Sequence, residues 1–297
     1  MLNPLREPLL NLAVGLFTRS IQRRNGSTDR AAAPLSMMRS VKVNGHRLCY
    51  LDVGQGDPIV LLHGLGSSAL SWLFVLPELG QRRRVIALDQ IGHGRSEKPA
   101  IPYRISDFVD YLEAFLKQLS LSQVDLVGNS LGGWVAAHFA IKRPELVRRL
   151  ALVCSAGLLP SPELQARLQQ IHFAPRTFAE MRAMLSACFY DKARFVNQRS
   201  VAISYLLRRL ENNGDTVMRI LDSISNQHEW LDEQLYQVSA RTLVLWGRED
   251  ELLPVEFAKR FATAITNAQL EIFERCGHVP QLERARDFNH LLTEFLD

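Results

Sequence analysis

The stretch Val124-Asp125-Leu126-Val127-Gly128-Asn129-Ser130-Leu131-Gly132-Gly133-Trp134 decides the fold. A mostly apolar run at 124–127 leads directly into a G-x-S-x-G motif, and an Ala-rich, helix-like segment follows at 131–141. A serine at such a junction lies on a sharp strand-to-helix turn, where small residues two positions away on either side prevent collisions with neighbouring backbone. The turn raises the serine above the sheet, at the N-terminus of the helix. We therefore predict that Ser130 is an exposed nucleophile.

The segments around this motif alternate between buried strands and helices. Apolar runs without alternation are typical of strands that are covered on both faces, as in a parallel sheet. These runs lie at 58–62, 84–88, 150–153, 242–245 and 270–273. Helical patterns lie at 106–119, with Ser106 as the expected N-cap, and at 282–296. Asn44-Gly45, between two strand-like segments at 38–43 and 47–53, predicts a hairpin. The pattern indicates an α/β fold.

Residues 158–238 interrupt this alternation, because their patterns are helical only. Helices are expected at 176–188 and 193–210, with a break at Asn212-Asn213-Gly214. The simplest organisation is one α/β core, residues 39–157 and 239–297, that carries a helical insertion at 158–238. Residues 1–38 precede the core as an arm and linker.

The arm has an amphipathic pattern followed by a polar stretch at 25–28. Its apolar residues recur at helical spacing among three arginines: Leu10, Ala13, Val14, Phe17, Ile21, Arg19, Arg23 and Arg24. Such an arm can pack on the protein's own surface or on a second subunit. It can also lie on an anionic membrane surface or serve as a targeting segment. The sequence leaves these alternatives and the oligomeric state open.

The composition is that of an ordinary globular protein, with 47% hydrophobic and 22% charged residues. The net charge of +4 is scattered, and no nucleic-acid motif accompanies it, so we expect no nucleic-acid partner. The one tight basic run, 82–84, is expected in a solvated loop. The four cysteines lie far apart without metal-ligand spacing, which predicts free thiols, a cytoplasmic location and no metal site.

A serine hydroxyl is a poor nucleophile at neutral pH, so it requires an adjacent base that is oriented by an acid. His278 follows the last predicted strand, and Asp250 follows the strand before it. Because the carboxyl ends of parallel strands meet at one edge of a sheet, these side chains should lie near Ser130. We predict a triad of Ser130, His278 and Asp250. The neighbouring Glu249 is expected to be an exposed surface charge.

Acyl chemistry also requires donors for the oxyanion that develops on the substrate carbonyl. The backbone amide of Leu131, directly after the serine, is the first candidate. The amide of Leu65 is the second, because the surrounding glycines, Gly64 and Gly66, allow the backbone to turn back toward the serine. Three aromatic residues are candidates for an apolar substrate pocket: Trp134, Phe189 and Tyr190.

Five motifs occur in order along residues 39–297. They are His63-Gly64-Leu65-Gly66, Asp89 to Ser96, Gly128 to Gly133, Trp246 to Asp250 with Pro254, and Gly277-His278. In this combination the chain resembles the α/β-hydrolase superfamily, whose triad follows the chain order Ser, Asp, His. The resemblance implies an eight-stranded, mostly parallel sheet with helices on both faces and a helical cap formed by residues 158–238. It also implies chemistry without a metal or an organic cofactor.

Within the superfamily, serine at position 130 implies attack on a carbonyl carbon, whereas epoxide hydrolases and haloalkane dehalogenases have aspartate there. The favoured interpretation is an esterase or lipase-like enzyme that cleaves short- to medium-chain or monoacylglycerol-like esters. The alternative is a meta-cleavage carbon–carbon hydrolase, a group that often has asparagine before the serine, as at Asn129. That group usually has Gly-Pro in the oxyanion loop, where Ser67-Ser68 stand here, and tryptophan at the position of Val279.

The diacid substrates of the carbon–carbon hydrolases require cations in the cap. Four arginines lie in the predicted cap: Arg194, Arg199, Arg208 and Arg209. Perhydrolase or acyl-transfer chemistry is a further alternative. A non-catalytic binding protein that retains the fold is the last alternative, and the complete predicted triad argues against it.

Overall fold

The computed structural model describes residues 37–211, 214–227 and 229–297, and eight strands in this part of the chain form one sheet. The strands are β1 Met38–Val43, β2 His46–Val53, β3 Pro58–Leu62, β4 Arg84–Asp89, β5 Val124–Asn129, β6 Val147–Val153, β7 Arg241–Gly247 and β8 Ala268–Phe273. Their order across the sheet is β1-β2-β4-β3-β5-β6-β7-β8. β2 pairs antiparallel with β1 and β4, and all other pairs are parallel. The predicted fold class is confirmed.

Helices cover both faces of this sheet. They are α1 Leu76–Leu79, α2 Ile105–Gln118, α3 Leu131–Lys142, α4 Pro162–Gln169, α5 Phe178–Cys188, α6 Lys192–Phe195, α7 Gln198–Glu211, α8 Gly214–Gln227, α9 Glu256–Ala264, α10 Pro280–Glu283 and α11 Ala285–Leu296. Alternate residues of β3 show how the faces divide. Val60 and Leu62 pack in the apolar cluster that contains α2, α3 and α9. Ile59 and Leu61 pack in the second cluster, with α1 and α11.

The hairpin and the start of the core follow the sequence pattern. Asn44 and Gly45 have φ values of 49° and 85°, the positive values that a two-residue hairpin turn requires. β1 begins at Met38, which the sequence had assigned to the end of the arm. Residues 1–36, and with them the amphipathic pattern, lie outside the described residues. No helix in the described ranges is both long enough and apolar enough to cross a membrane.

Between β6 and β7 every described regular element is a helix, as the pattern of residues 158–238 predicts. The end of this helical insertion is held to the core by Glu229, whose carboxylate accepts the backbone amides of Ile105 (2.7 Å) and Ser106 (3.2 Å). These are the first two residues of α2. The expected N-cap at Ser106 is therefore wrong, because Arg104 is the N-cap and a residue from the insertion accepts the helix's first amides.

The basic run at 82–84 lies at the amino end of β4, at the edge opposite the carboxyl ends of the strands. Arg84 forms a bidentate pair with Asp52 at 3.1 and 2.8 Å. Arg83 lies 3.3 Å from the fully buried carboxylate of Asp125. The expectation of a solvated loop holds for Arg82 alone, whose side chain is 74% exposed. Sequence neighbours could not reveal partners that lie more than 30 residues away.

Candidate active site

Ser130 lies directly after β5, in the tight turn into α3. Its φ of 55° and ψ of −119° are strained for a residue with a side chain. The glycines around it are required by close packing, since a Cβ on Gly128 would meet the carbonyl of Gly132, and a Cβ on Gly132 would meet that of Leu62. The amide of Ser130 donates to Val153 O at 3.0 Å, which fixes the turn against β6. The predicted strand-serine-helix turn is present.

His278 and Asp250 lie at the same edge of the sheet, in the loops that follow β8 and β7. His278 Nδ1 is 2.7 Å from Asp250 Oδ2, and both side chains are buried. Asp250 Oδ1 accepts the backbone amides of Leu252 and Leu253 at 2.8 and 2.9 Å, so the carboxylate is held by its own loop. This geometry fixes the ring so that Nε2 is the nitrogen left for a proton from a nucleophile.

Asn129 joins the serine turn to the histidine loop. Its Nδ2 donates to Val153 O (3.0 Å) and to His278 O (3.2 Å), and its Oδ1 accepts from Gln281 Nε2 (3.1 Å). The side chain is buried, so these bonds are formed away from water. The residue before the serine therefore has a structural reason to be asparagine, a role that the sequence pattern did not predict.

Glu249 differs from its expected role as an exposed surface charge. It is half-buried, and its Oε2 accepts the backbone amide of Cys276 at 2.9 Å, while its own amide donates to Cys276 O at 3.0 Å. It therefore braces the loop that carries His278 and makes no hydrogen bond to the histidine ring among the described contacts. Of the two acids, Asp250 is the one that contacts His278.

The two backbone amides proposed for the oxyanion lie beside Ser130. Leu131 is the first residue of α3, a position where a helix offers its own amides no acceptor. Gly64 approaches the serine so closely that a Cβ there would lie 3.1 Å from Ser130 Cβ, and this contact brings the following residue, Leu65, to the site. Both leucines line the cavity at the serine.

The cavity at Ser130 has two chambers. The smaller has a volume of about 210 Å³ and the larger about 740 Å³. Both are bounded by the same five residues: Leu65, Ser130, Phe173, Leu252 and His278. The serine and the histidine therefore stand where the chambers meet. A substrate whose reacting carbonyl lies at Ser130 can extend into both.

The smaller chamber has a cation on its wall. Arg208 of α7 donates to Phe173 O at 2.8 Å and to Met184 Sδ at 3.5 Å, and it packs against Gly66 in the loop after β3. The charge of this guanidinium interacts with that of Glu211. Glu211, one turn further along α7, lines the same chamber, and burial raises its pKa to about 7. This wall therefore carries a cation and an acid whose charges interact.

The larger chamber is mainly apolar. Trp134 stacks on Trp230, with ring centroids 4.8 Å apart and planes 11° apart, and the pair forms part of its lining. Helices α4 and α8 supply further side chains, including Leu168 and Leu221. At the rim Leu159 and Met218 are about half exposed. The chamber offers room for a bulky apolar group.

The three predicted pocket aromatics have different positions. Trp134 lines the larger chamber and Phe189 the smaller one. Tyr190 lines neither and is 41% exposed, so its assignment to the pocket is wrong. Its backbone amide instead donates to Glu283, which also accepts the amide of Gly277 at 2.7 Å. Phe189 and Tyr190, just after α5, face different ways, and no periodicity in the sequence distinguishes them.

Cys154, Asp250 and His278 have the composition of a metal site, with donor atoms within 4.8 Å of one another. However, Asp250 and His278 already share a 2.7 Å hydrogen bond, which leaves no room for an ion between Oδ2 and Nδ1. The arrangement fits an acid–base pair with a neighbouring thiol better than it fits a set of metal ligands.

Comparison with known proteins agrees with this geometry. The family model of the α/β hydrolase fold matches residues 57–285. The 2-hydroxymuconate semialdehyde hydrolase of Pseudomonas sp. (strain CF600) is 35% identical over 268 residues, which cover 87% of this chain and 93% of that protein.

Solved structures extend the comparison. A meta-cleavage product hydrolase from Pseudomonas fluorescens IP01 has a TM-score of 0.77 and 29% identity, covering 88% of this chain and 98% of that one. A membrane phospholipase A described as a bacterial virulence factor has a TM-score of 0.82 and 26% identity, covering 96% and 92%. With the sheet order, the serine turn and these matches in agreement, the chain belongs to the α/β-hydrolase fold family.

Proposed function

We propose that this protein is a serine hydrolase that cleaves a carbon–carbon bond in 2-hydroxy-6-oxo-dienoates, the compounds formed by meta-cleavage of aromatic rings. The observation that carries the proposal is Arg208, a cation on the wall of the smaller chamber beside Ser130 and His278. A substrate with a carboxylate at one end and a ketone or aldehyde further along fits a cation next to a nucleophile. The named relative, a 2-hydroxymuconate semialdehyde hydrolase, supports the same class. This reverses the preference for esters that the sequence motifs suggested.

The proposed catalytic groups are Ser130, His278 and Asp250. Ser130 Oγ attacks the substrate carbonyl carbon as His278 Nε2 takes its proton, and Asp250 holds the ring and stabilises the imidazolium. The amides of Leu65 and Leu131 donate to the developing oxyanion, each with an effect of about 3 kcal/mol on the barrier. The helical insertion, residues 158–238, acts as the cap that closes both chambers over these groups.

A carbon leaving group requires an electron sink. In the keto form of the dienoate, the electrons of the breaking C5–C6 bond pass through a C3=C4 double bond to the C2 oxygen, next to the carboxylate. Arg208 would bind this carboxylate end in the smaller chamber, while the group on C6 extends into the larger one. Water activated by His278 then releases the carboxylic acid from Ser130. One water is consumed, and the products are a carboxylic acid and 2-hydroxypenta-2,4-dienoate.

Ester hydrolysis is the second candidate, because the same groups attack an ester carbonyl. It is favoured by the apolar chamber of about 740 Å³, which can hold an acyl chain. The similarity to a membrane phospholipase A over 96% of the chain also supports it. An ester needs no electron sink on its leaving group, so Arg208 would have no necessary part in that reaction.

The two candidates are distinguished by comparing kcat/KM values for 2-hydroxymuconate semialdehyde and its 6-alkyl analogues with those for p-nitrophenyl esters from acetyl to palmitoyl. We expect the dienoates to exceed the best ester by about tenfold or more, the effect of one additional charged hydrogen bond. Higher kcat/KM values for the esters would refute the carbon–carbon assignment. A Ser130→Ala variant identifies any activity that does not arise from this site.

A further inference from the structure

Glu283 joins the helical insertion to the loop that carries His278. It is the last residue of α10, and it is buried. Its carboxylate accepts three backbone amides, those of Asp191 (2.6 Å), Gly277 (2.7 Å) and Tyr190 (3.3 Å). The first and the third belong to the insertion, between α5 and α6, whereas Gly277 directly precedes His278. No step of the proposed reaction uses this acid.

The two segments also contact each other directly. The amide of His278 donates to Cys188 O, at the end of α5, at 2.8 Å. A Cβ on Gly277 would lie 2.5 Å from Cys188 O and 3.0 Å from Tyr190 N, so only glycine permits this approach of the two backbones. Contacts this close leave little freedom for one segment to move without the other.

The insertion segment that Glu283 holds forms part of the smaller chamber. Cys188 and Phe189 line that chamber, and so does His278. The ring of Phe189 stacks on that of Phe195 in α6, with centroids 4.4 Å apart, which fixes the segment within the insertion. A ligand in the smaller chamber can therefore contact the same segment that is joined to the histidine loop.

Two oxygens of Glu283 share the three amides between the insertion and the histidine loop. Oε2 accepts from Gly277 and from Tyr190, and Oε1 accepts from Asp191. Burial raises the pKa of Glu283 from its ordinary value, and the three amides act in the opposite direction. Hydrogen bonds to a charged acceptor are stronger than those between neutral groups, the more so away from water. The junction therefore depends on the charge and on both acceptor oxygens.

We propose that Glu283 is a positioning residue that couples the helical insertion to the base, so that His278 stands in place to accept the nucleophile's proton only while residues 188–191 are docked on its loop. The inference rests on the proposed triad and applies to ester and carbon–carbon substrates alike. Asp250 fixes the direction of the imidazole ring, and Glu283 fixes the backbone from which that ring extends. Loss of this tie should slow the chemical step more than it weakens substrate binding.

The test measures the rate at which a small fluorophosphonate reagent phosphonylates Ser130, so it does not depend on the natural substrate. Glu283→Gln keeps the size of the side chain but replaces one acceptor oxygen by a donor. It should lower this rate by about tenfold, the effect of losing one hydrogen bond to a charged group. With a p-nitrophenyl ester, kcat should fall by a similar factor while KM stays within about threefold. A role in packing alone would change Tm without this split.

The coupling can also be broken from the insertion alone. Asp191 has a φ of −77°, which proline adopts, and Asp191→Pro removes the amide that donates to Glu283. Asp191→Ala is the matched control, because it keeps that amide and, like the proline variant, loses the side-chain acceptor at the start of α6. We expect the proline variant to lower the phosphonylation rate by about tenfold and the alanine variant by less than about twofold.

Glu229→Gln is a second control, because Glu229 accepts two backbone amides of α2 and so joins the insertion to the core away from the histidine loop. It should lower Tm and leave the phosphonylation rate within about twofold. Equal rates in the wild type and Glu283→Gln, equal losses in the two Asp191 variants, or an equal loss in Glu229→Gln would overturn the inference. Failure of the triad itself is a separate result, which Ser130→Ala reports through loss of phosphonylation.

Discussion

Replacement of Arg208 by methionine tests whether the smaller chamber recognises a carboxylate. Methionine keeps much of the side-chain length and removes the charge and the donors. The guanidinium donates to Phe173 O and to Met184 Sδ, and its charge also interacts with that of Glu211. A hydrogen bond to a charged group contributes about 1.5–3 kcal/mol, which corresponds to about a 10- to 150-fold loss in kcat/KM.

The loss should be selective for the anionic substrate. We expect kcat/KM for the dienoate to fall by about 30-fold, and for a neutral p-nitrophenyl ester by less than about threefold. The rate with the ester also shows whether the substitution disturbs the loop after β3, because Arg208 packs against Gly66 in that loop. Arg208→Lys keeps the charge without the planar fork and should give an intermediate loss.

Arg209→Met is the matched control, since it removes the same group from the next, exposed residue of α7. It should leave both substrates unchanged. The assay measures initial rates from the loss of dienoate absorbance and from the release of nitrophenolate. The Tm is measured for each variant. An equal loss for the dienoate and the ester would refute carboxylate recognition and assign Arg208 a purely structural role.

Three further predictions concern the acid, a buried histidine and the arm. Asp250→Asn should lower kcat by about 10⁴-fold, because the histidine would be held in the wrong tautomer. The kcat of Glu249→Gln should stay within about tenfold of the wild-type value, because an amide oxygen can still accept the Cys276 amide. If the two effects are reversed, the roles of the two acids are exchanged. Burial holds the pKa of His93 well below its usual range. Below about pH 6.5 the unfolded chain therefore binds a proton that the folded chain does not, and the free energy of unfolding decreases as the pH is lowered. Chemical denaturation should show that His93→Asn loses less stability than the wild type between pH 6.5 and 5.5, by about 1 kcal/mol, and parallel losses would contradict this. Removing residues 1–36 should leave kcat/KM on a small substrate within about twofold of the full-length value. It should weaken the salt-sensitive binding to anionic liposomes, because the arginines of the arm are removed. Equal liposome binding by both chains would exclude a membrane role for the arm.

The sequence predicted the features of the fold that depend on local chemistry. Apolar runs located the strands, because strands buried on both faces tolerate few polar side chains. The ends of the strands were less certain. β6 begins at Val147, three residues before the predicted Leu150, and its first residues include Arg148 and Arg149, which pair with Asp125 of the neighbouring strand β5. The serine turn was recognisable because its backbone conformation admits only small residues at the positions of Gly128 and Gly132.

Features that depend on distant contacts could not be read from the sequence. Arg208 was one of four equivalent arginines, and only the packing of α7 against Gly66, in the loop after β3, distinguishes it. The acceptor for the first backbone amides of α2 is Glu229, more than 120 residues away. Cys154 was expected to be an ordinary buried thiol, because its positive φ has no local sequence signal.

The most direct test of the account is product analysis after reaction of the purified protein with 2-hydroxymuconate semialdehyde. The account predicts formate and 2-hydroxypenta-2,4-dienoate in equal amounts from the wild-type chain. Ser130→Ala should reduce turnover by about 10⁴-fold or more while its Tm stays within a few degrees of the wild-type value. A chain that consumes no dienoate but hydrolyses esters through Ser130, or a Ser130→Ala variant that still releases both products at a tenth of the wild-type rate, would contradict it.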